Sequence, residues 1–362
     1  MKKSRLVAGV MTGTSIDGMD LALIEVRGRG LELRVALRRQ HAVPLGGLAP
    51  RLRAAADQEP LTAADFAALA WEFGELHAKA LDELLEGVRP DLIVAHGQTL
   101  FHRPPLSLQL LNAAPIANRF GCHVVFDLRQ ADLAAGGHGA PITPLADWIL
   151  FRDPVSCRAI VNLGGFCNLT LLPGDERACI HDVRGADLCA CNQILDAVAR
   201  RALGAAFDEN GSRAARGTAE PRAVEGLESL LHAQQRSARS LGTGDEALAW
   251  VEEMASALAP DDLAASACRA IGGTIGAAIR ELGADEVVLA GGGARNAALV
   301  AAIAAGCRRP VRFTSELGVP IECREAVAMA VLGALAEDGV EITLAAVTGR
   351  AALAGRSGSW AG

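Results

Sequence analysis

The sequence predicts an α/β protein built from two domains, and three observations carry that prediction. The chain has 362 residues, about twice the size of an ordinary single domain, so two separate cores are available. Short β-branched runs alternate with stretches of helical period, which is the pattern of layered α/β folds. A strand, a glycine-containing turn and a second strand occur together near the start of the chain and again near its middle.

The elements follow in order. Residues 6–11 and 21–26 are strand-like and flank a Gly/Thr/Ser/Asp segment, so they predict a β-hairpin with a polar turn. Thr62 followed by Asp65 predicts a helix N-cap, after which Phe66, Leu69, Phe73, Leu76 and Leu84 recur on one face suited to packing on a sheet. Residues 91–95 and 123–126 predict buried strands that end in His96-Gly97-Gln98-Thr99 and Asp127-Leu128-Arg129. Ligands in open α/β sheets sit beyond the carboxyl ends of strands, which makes these polar tails candidate binding segments. Residues 135–144 are rich in Gly and Pro and break all periodicity. That stretch predicts the crossover between a first domain, 1–136, and a second, 137–362, whose last helix is expected to return to the first.

In the second half, residues 159–162 and 168–172 predict strands on either side of Leu163-Gly164-Gly165. Leu263, Ile271, Ile275, Ile279 and Leu282 predict a helix, and residues 286–290 a strand running into Gly291-Gly292-Gly293-Ala294-Arg295-Asn296. A hairpin with a glycine turn in each half is the layout expected of two related domains that hold a nucleotide in the cleft between them.

Composition excludes several classes of function. Charged residues make up 21% of the chain, and no apolar run approaches the roughly 20 residues of a membrane span. The basic start, Met1-Lys2-Lys3-Ser4-Arg5, leads into a short apolar run without a small-residue cleavage site, so it predicts a strand rather than a signal peptide, and a cytoplasmic protein. A formal net charge of −7 provides no basic field for nucleic acid or anionic lipid. Phosphates would have to be held locally. The nine cysteines are scattered, Cys189 and Cys191 forming the one tight pair, and the expected state is free, mostly buried thiols rather than a zinc site.

Gly13-Thr14-Ser15-Ile16-Asp17-Gly18-Met19-Asp20 combines glycines that allow close backbone approach with two hydroxyls and two carboxylates. Such a turn can cradle phosphate oxygens through N–H groups while Asp17 holds a hydrated Mg²⁺. An ordinary hairpin turn would account for any few of these residues, but less readily for all of them. The segment is not a P-loop, because no Gly-Lys-Ser/Thr follows. Gly291-Gly292-Gly293 is not a dinucleotide fingerprint either, since Asn296 stands where the third glycine belongs. With the two earlier glycine turns it would form a third wall against a nucleotide.

These segments together resemble the anhydro-N-acetylmuramic acid kinase family, within the actin/sugar-kinase/Hsp70 superfamily, across nearly the whole chain. The same order is present: residues 13–20, His96-Gly97-Gln98-Thr99, Phe126-Asp127-Leu128-Arg129, Ala135-Gly136-Gly137-His138-Gly139-Ala140-Pro141, Asn162-Leu163-Gly164-Gly165, Asp187 to Asn192 with Asp196, residues 291–296, and Glu325-Ala326. The resemblance implies two actin-like (ribonuclease H-like) domains around a nucleotide cleft, with ATP and Mg²⁺. It implies a kinase that opens a 1,6-anhydro ring with water and phosphorylates O6, a step in cell-wall sugar recycling. A homodimer is a possible assembly, although no segment marks an interface.

Carried across residue by residue, the resemblance implies Asp187 as the base that activates water, with Asp182 the weaker rival. Thr99, Arg129 and Glu325 would hold the sugar, Arg129 through a fork suited to a carboxylate. Residues 13–20 with Gly164, Gly165, Gly291, Gly292 and Gly293 would line ATP. Arg129 at a strand end and Glu325 at a helix start also admit purely structural readings. His96 admits the reading of a satisfied core histidine, so it receives no catalytic role.

The chain departs from the family in one informative place. Where the family has Asp-Thr-Gly-Pro-Gly-Asn, this sequence has Asp187-Leu188-Cys189-Ala190-Cys191-Asn192. Residues with a Cβ adopt positive φ only at a cost, so a different path is expected behind the base. Leu128, His138, Met329 and Val331 also differ from the family's usual residues. The changes spare the nucleotide segments and leave open a kinase on another anhydrosugar or hexose derivative, or a non-catalytic ATP- and sugar-binding regulatory protein.

Overall fold

The computed structural model describes residues 4–13, 15–236 and 245–362. Thr14 lies outside the described residues. The chain divides into two compact units: Met1–Arg152 with Cys179–Arg184 and Glu322–Gly362, and Asp153–Ala178 with Gly185–Ile321. The Gly- and Pro-rich stretch 135–144 lies within the first unit. No helix among the described residues is long and apolar enough to cross a membrane.

In the first unit, β1 (Arg5–Thr12) and β2 (Gly18–Arg27) form the expected hairpin, and β3 (Arg34–Pro44) pairs antiparallel with β2. On the other side of β1, β4 (Leu92–Ala95) runs parallel to it. A small separate hairpin follows, β5 (Gln98–Arg103) with β6 (Leu106–Leu110), and then β7 (His123–Phe126), parallel to β4. The chain's last strand, Ser359–Ala361, closes the sheet antiparallel to β7. Every residue of β4 is buried, as a central parallel strand covered on both faces requires.

Helices cover both faces of this sheet. Thr62 and Asp65 form the predicted capping box, and the helix Ala63–Leu85 buries Leu69, Phe73, Leu81 and Leu84 in one cluster with Ala8, Val10, Leu21 and Ile93. Gly9 lies between Ala8 and Val10 and therefore faces the opposite side. There it meets the helix Arg324–Glu337, so close that a Cβ on Gly9 would stand 2.1 Å from the Ala326 carbonyl oxygen. Gly333 of the same helix approaches Val94 as tightly, its Cβ position being 2.1 Å from Cγ2.

The second unit repeats the plan. β8 (Arg158–Leu163) and β9 (Phe166–Leu172) form an antiparallel hairpin, β10 (Arg184–Ala190) lies beyond β9, and β11 (Glu286–Ala290) and β12 (Val311–Phe313) continue in parallel on the other side of β8. Both sheets thus run third, second, first, fourth, fifth strand, with the second reversed. That shared order is the ribonuclease H-like arrangement, and the α/β class is as the sequence predicts. The helices Pro260–Leu282 and Ala297–Cys307 cross through glycines, a Cβ on Gly276 lying 2.5 Å from the Gly306 carbonyl carbon.

Gly9→Ala adds a methyl group where the backbone of a neighbouring helix already stands. The expected loss of unfolding free energy is about 1–3 kcal/mol, the usual cost of overpacking a dense core. Urea unfolding of the variant against wild type measures it.

Candidate functional site

The turn joining β1 to β2 is organised by its own backbone. The Ile16 N–H donates to the Gly13 carbonyl at 3.3 Å, Ile16 takes φ 53°, and its side chain enters the core. Met19 is wholly buried as well, so neither side chain faces a ligand and both residues would contribute through backbone alone. Ser15 Oγ donates to Asp17 Oδ1 at 2.9 Å, and Arg53 Nη2 donates to the Ser15 carbonyl at 3.0 Å, which holds the turn from outside. Asp17 is exposed; Asp20 lies half-buried in β2.

At the carboxyl ends of β4 and β7, two predicted segments are joined. Arg129 Nε donates to His96 Nε2 at 3.1 Å, and Arg129 Nη1 donates to the Gly139 carbonyl at 2.7 Å. His96 Nδ1 lies 3.0 Å from the Gly97 carbonyl, which also accepts from Thr12 Oγ1 at 3.1 Å. Because a carbonyl can only accept, Nδ1 carries the proton and Nε2 is the acceptor. Burial, reinforced by the Arg129 charge, lowers the His96 pKa to about 3. Its ring is therefore neutral at ordinary pH.

The glycine-rich loop is fixed by a residue that sequence reasoning passed over. Asp132 is 1% exposed; its Oδ2 accepts from the Gly139 N–H at 2.8 Å and its Oδ1 from Thr348 Oγ1 at 2.7 Å. A Cβ on Gly137 would stand 2.2 Å from Asp132 Oδ2, so the loop closes over that carboxylate only because glycine is there. Thr99 is half-buried on β5 and pairs across the hairpin with Gln109, whose Nε2 donates to Thr99 Oγ1 at 3.4 Å. Asp127 takes φ 54°, one of its oxygens is buried without a partner, and burial raises its pKa.

Glu325 is half-buried in the first turn of the helix Arg324–Glu337. The preceding residue sets its position: Arg324, 1% exposed, forms a buried ion pair with Asp147, which is fully buried, and Arg324 Nε donates to Asp147 Oδ1 at 3.1 Å. A lone acid in the apolar helix Pro144–Phe151 was the available signal for this pair. Buried charges of opposite sign persist together because either one alone would be strongly unfavourable.

The second unit brings together its two predicted glycine segments, with Asn192 between them. Asn192 Nδ2 donates to the Leu163 carbonyl at 3.0 Å, while the backbone N–H groups of Cys191 and Asn192 donate to the carbonyls of Gly165 and Gly164 at 2.8 and 3.0 Å. Gly291 takes φ 83°, and a Cβ there would lie 2.8 Å from the Leu163 carbonyl oxygen. A Cβ on Gly293 would lie 2.7 Å from Asn192 Oδ1. Gly292 begins the short turn Gly292–Arg295 and faces Asn192 at a wider separation. Beside them Asn162, 4% exposed, buries an amide oxygen that has no protein partner.

Asp187 is exposed on β10. Directly after it, Leu188, Cys189, Ala190 and Cys191 are buried in the core of the second unit. None of them takes positive φ, and the glycine-free segment runs as strand through Ala190, where β10 ends. All nine cysteines are free, and burial pushes the Cys167 and Cys191 thiols well above their ordinary range. Among the described residues, no group of three or more His, Cys, Asp or Glu is placed to hold a metal ion.

The state of His96 sets a pH dependence. Its folded pKa, about 3, lies below the ordinary 6.5, so on acidification the unfolded chain takes up a proton the folded chain refuses. Stability from this group is complete above about 6.5 and is lost as pH falls towards 3. His96→Gln removes that component, and the stability gap between wild type and variant, measured by urea unfolding, is expected to narrow from pH 7 to about 4.

The family model described as anhydro-N-acetylmuramic acid kinase matches residues 5–357. The chain is 32% identical over 378 residues to the anhydro-N-acetylmuramic acid kinase of Salinibacter ruber, covering 97% of this chain and 95% of that one. It is 36% identical over 348 residues to the protein of the same name from Picosynechococcus, covering 90% and 91%. Among solved structures, it is similar to an activator of 2-hydroxyisocaproyl-CoA dehydratase from Clostridium difficile with bound ADPNP, at TM-score 0.48 and 13% identity, over 92% of this chain and 96% of that one. A likeness that distant says nothing about activity. The match through residues 5–357, with curated relatives at 32% and 36% identity, shows that the chain belongs to the anhydro-N-acetylmuramic acid kinase family.

Proposed function

We propose that this protein opens the 1,6-anhydro ring of 1,6-anhydro-N-acetylmuramic acid with water and phosphorylates O6 from ATP, giving N-acetylmuramic acid 6-phosphate and ADP. The observation that carries this reading is the family match through residues 5–357, which spans every segment assigned a role.

Asp187 is the base. Its exposed carboxylate takes a proton from water as the water oxygen bonds to C1 of the sugar. The C1–O6 bond breaks, O6 attacks the γ-phosphorus, and the bond to the β-phosphate oxygen breaks to release ADP. Positioning and charge neutralisation carry most of such a phosphoryl transfer. Arg129, with its plane fixed by His96 and Gly139, offers a fork to the lactyl carboxylate. Thr99 and Glu325 are the other sugar-binding residues.

ATP fits beside Gly291 and Gly293 on one ground, the unpartnered buried oxygen of Asn162 next to them. With Gly164 and Gly165 these would line the nucleotide in the second unit, and residues 13–20 in the first. Asp17 suits a magnesium ion carried in by phosphate oxygens, since such an ion keeps most of its water and needs only one or two carboxylates. When bound, that ion would neutralise charge on the phosphates. The expected setting is the cytoplasm, in the recycling of cell-wall sugar, and a homodimer is compatible with the reading.

The strand-like path of residues 188–191 favours a second reading, a kinase on a different anhydrosugar. A coupled assay of ADP release with Mg²⁺, ATP and 1,6-anhydro-N-acetylmuramic acid, with the product weighed by mass spectrometry, separates the two. The first reading expects a product heavier than substrate by water plus phosphate, and a drop in kcat of about 10²- to 10⁴-fold in Asp187→Asn. Turnover only with another sugar supports the second reading. ATP binding without turnover of any sugar points to a regulatory protein.

A further inference from the structure

We infer that His96 is a positioning residue for the sugar: its neutral imidazole orients Arg129 and thereby makes the protein selective for sugars that carry a carboxylate. This inference rests on the reading of Arg129 as the carboxylate-binding residue. It goes further by assigning the selectivity to a residue that touches no substrate.

Three features carry it. His96 is 1% exposed, so it is closed off from ligand and acts through its neighbours. Its tautomer is fixed from one side, because Nδ1 donates to the Gly97 carbonyl at 3.0 Å, and this leaves Nε2 as the acceptor for Arg129 Nε at 3.1 Å. Finally, Arg129 is held at a second point, the Gly139 carbonyl at 2.7 Å, and the N–H of that same glycine donates to Asp132. Two anchors on different nitrogens of a planar guanidinium fix its plane and not merely its position. A carboxylate that binds in a fork needs that plane set in advance.

Protonation would reverse the arrangement, since imidazolium offers two donors and a positive charge to a cation. Burial keeps His96 neutral with a pKa of about 3, so the acceptor persists across ordinary pH.

Two measurements test the inference. The first needs no substrate: ¹⁵N NMR of the wild-type protein with labelled histidine, assigned by His96→Gln. At pH 7 the expected pattern for His96 is a protonated Nδ1 and an unprotonated Nε2 whose resonance moves in Arg129→Met. The opposite tautomer, or a resonance indifferent to Arg129→Met, overturns the inference. The second compares 1,6-anhydro-N-acetylmuramic acid with 1,6-anhydro-N-acetylglucosamine, which lacks the lactyl carboxylate. His96→Leu is expected to raise KM about tenfold for the lactyl sugar alone, the scale of one misaligned charged hydrogen bond, with kcat nearly kept. His96→Gln, which keeps an acceptor, is expected to recover most of that loss. Equal losses on both sugars, unrecovered in the glutamine variant and tracking a lower melting temperature, mark a structural role only and overturn the inference. Failure of the wild type to turn over either sugar sinks the proposed function instead, while the NMR experiment still decides the His96–Arg129 contact.

Discussion

In each unit, loops that carry candidate residues adjoin main-chain approaches too close for a methyl group. In the first unit the helix Arg324–Glu337 sits against β1 because Gly9 has no Cβ, which would lie 2.1 Å from the Ala326 carbonyl oxygen. In the second, Gly291 and Gly293 lie against Leu163 and Asn192 at Cβ distances of 2.8 and 2.7 Å. Close contact of this kind excludes water and side chains, so the backbone on either side has little room to shift. Everything that depends on those loops inherits the constraint.

Electrostatics add a second level of fixing in the first unit. Two buried carboxylates, Asp132 and Asp147, do not face ligand; each holds a piece of the site in place. Asp132 anchors Gly139, and through its carbonyl the Arg129 guanidinium. Asp147 anchors Arg324, and with it the helical turn that bears Glu325. Charges so buried are unfavourable unless fully partnered, which is why both appear inside networks. The carboxylates proposed for magnesium and for the base, Asp17 on the hairpin turn and Asp187 on β10, are exposed by contrast.

Much of the fold was legible because periodicity and capping report local structure directly. The β1–β2 hairpin, the Thr62 cap, the strands ending at His96 and Asp127, and the glycine turns of the second unit all lie where the residues predict. What the sequence hid was partnership across distance. His96 read as a core residue on its own, and only the fold brings Arg129 to its ring. Asp132 reaches Gly139 and Thr348, and the latter stands 216 positions away, beyond any local pattern. The segment 188–191 was legible in part: the missing glycines predicted a changed path, but that the path would be a buried strand followed only from core packing.

The central claim is that one water is added to the sugar as one phosphoryl group is transferred from ATP. The most direct measurement is a reaction run in H₂¹⁸O, with the product fragmented by mass spectrometry before the anomeric oxygen exchanges with solvent. The account predicts a single ¹⁸O on C1 and none in the phosphoryl group. Label in released inorganic phosphate without a labelled sugar, or a phosphorylated sugar that has gained no water, would contradict it.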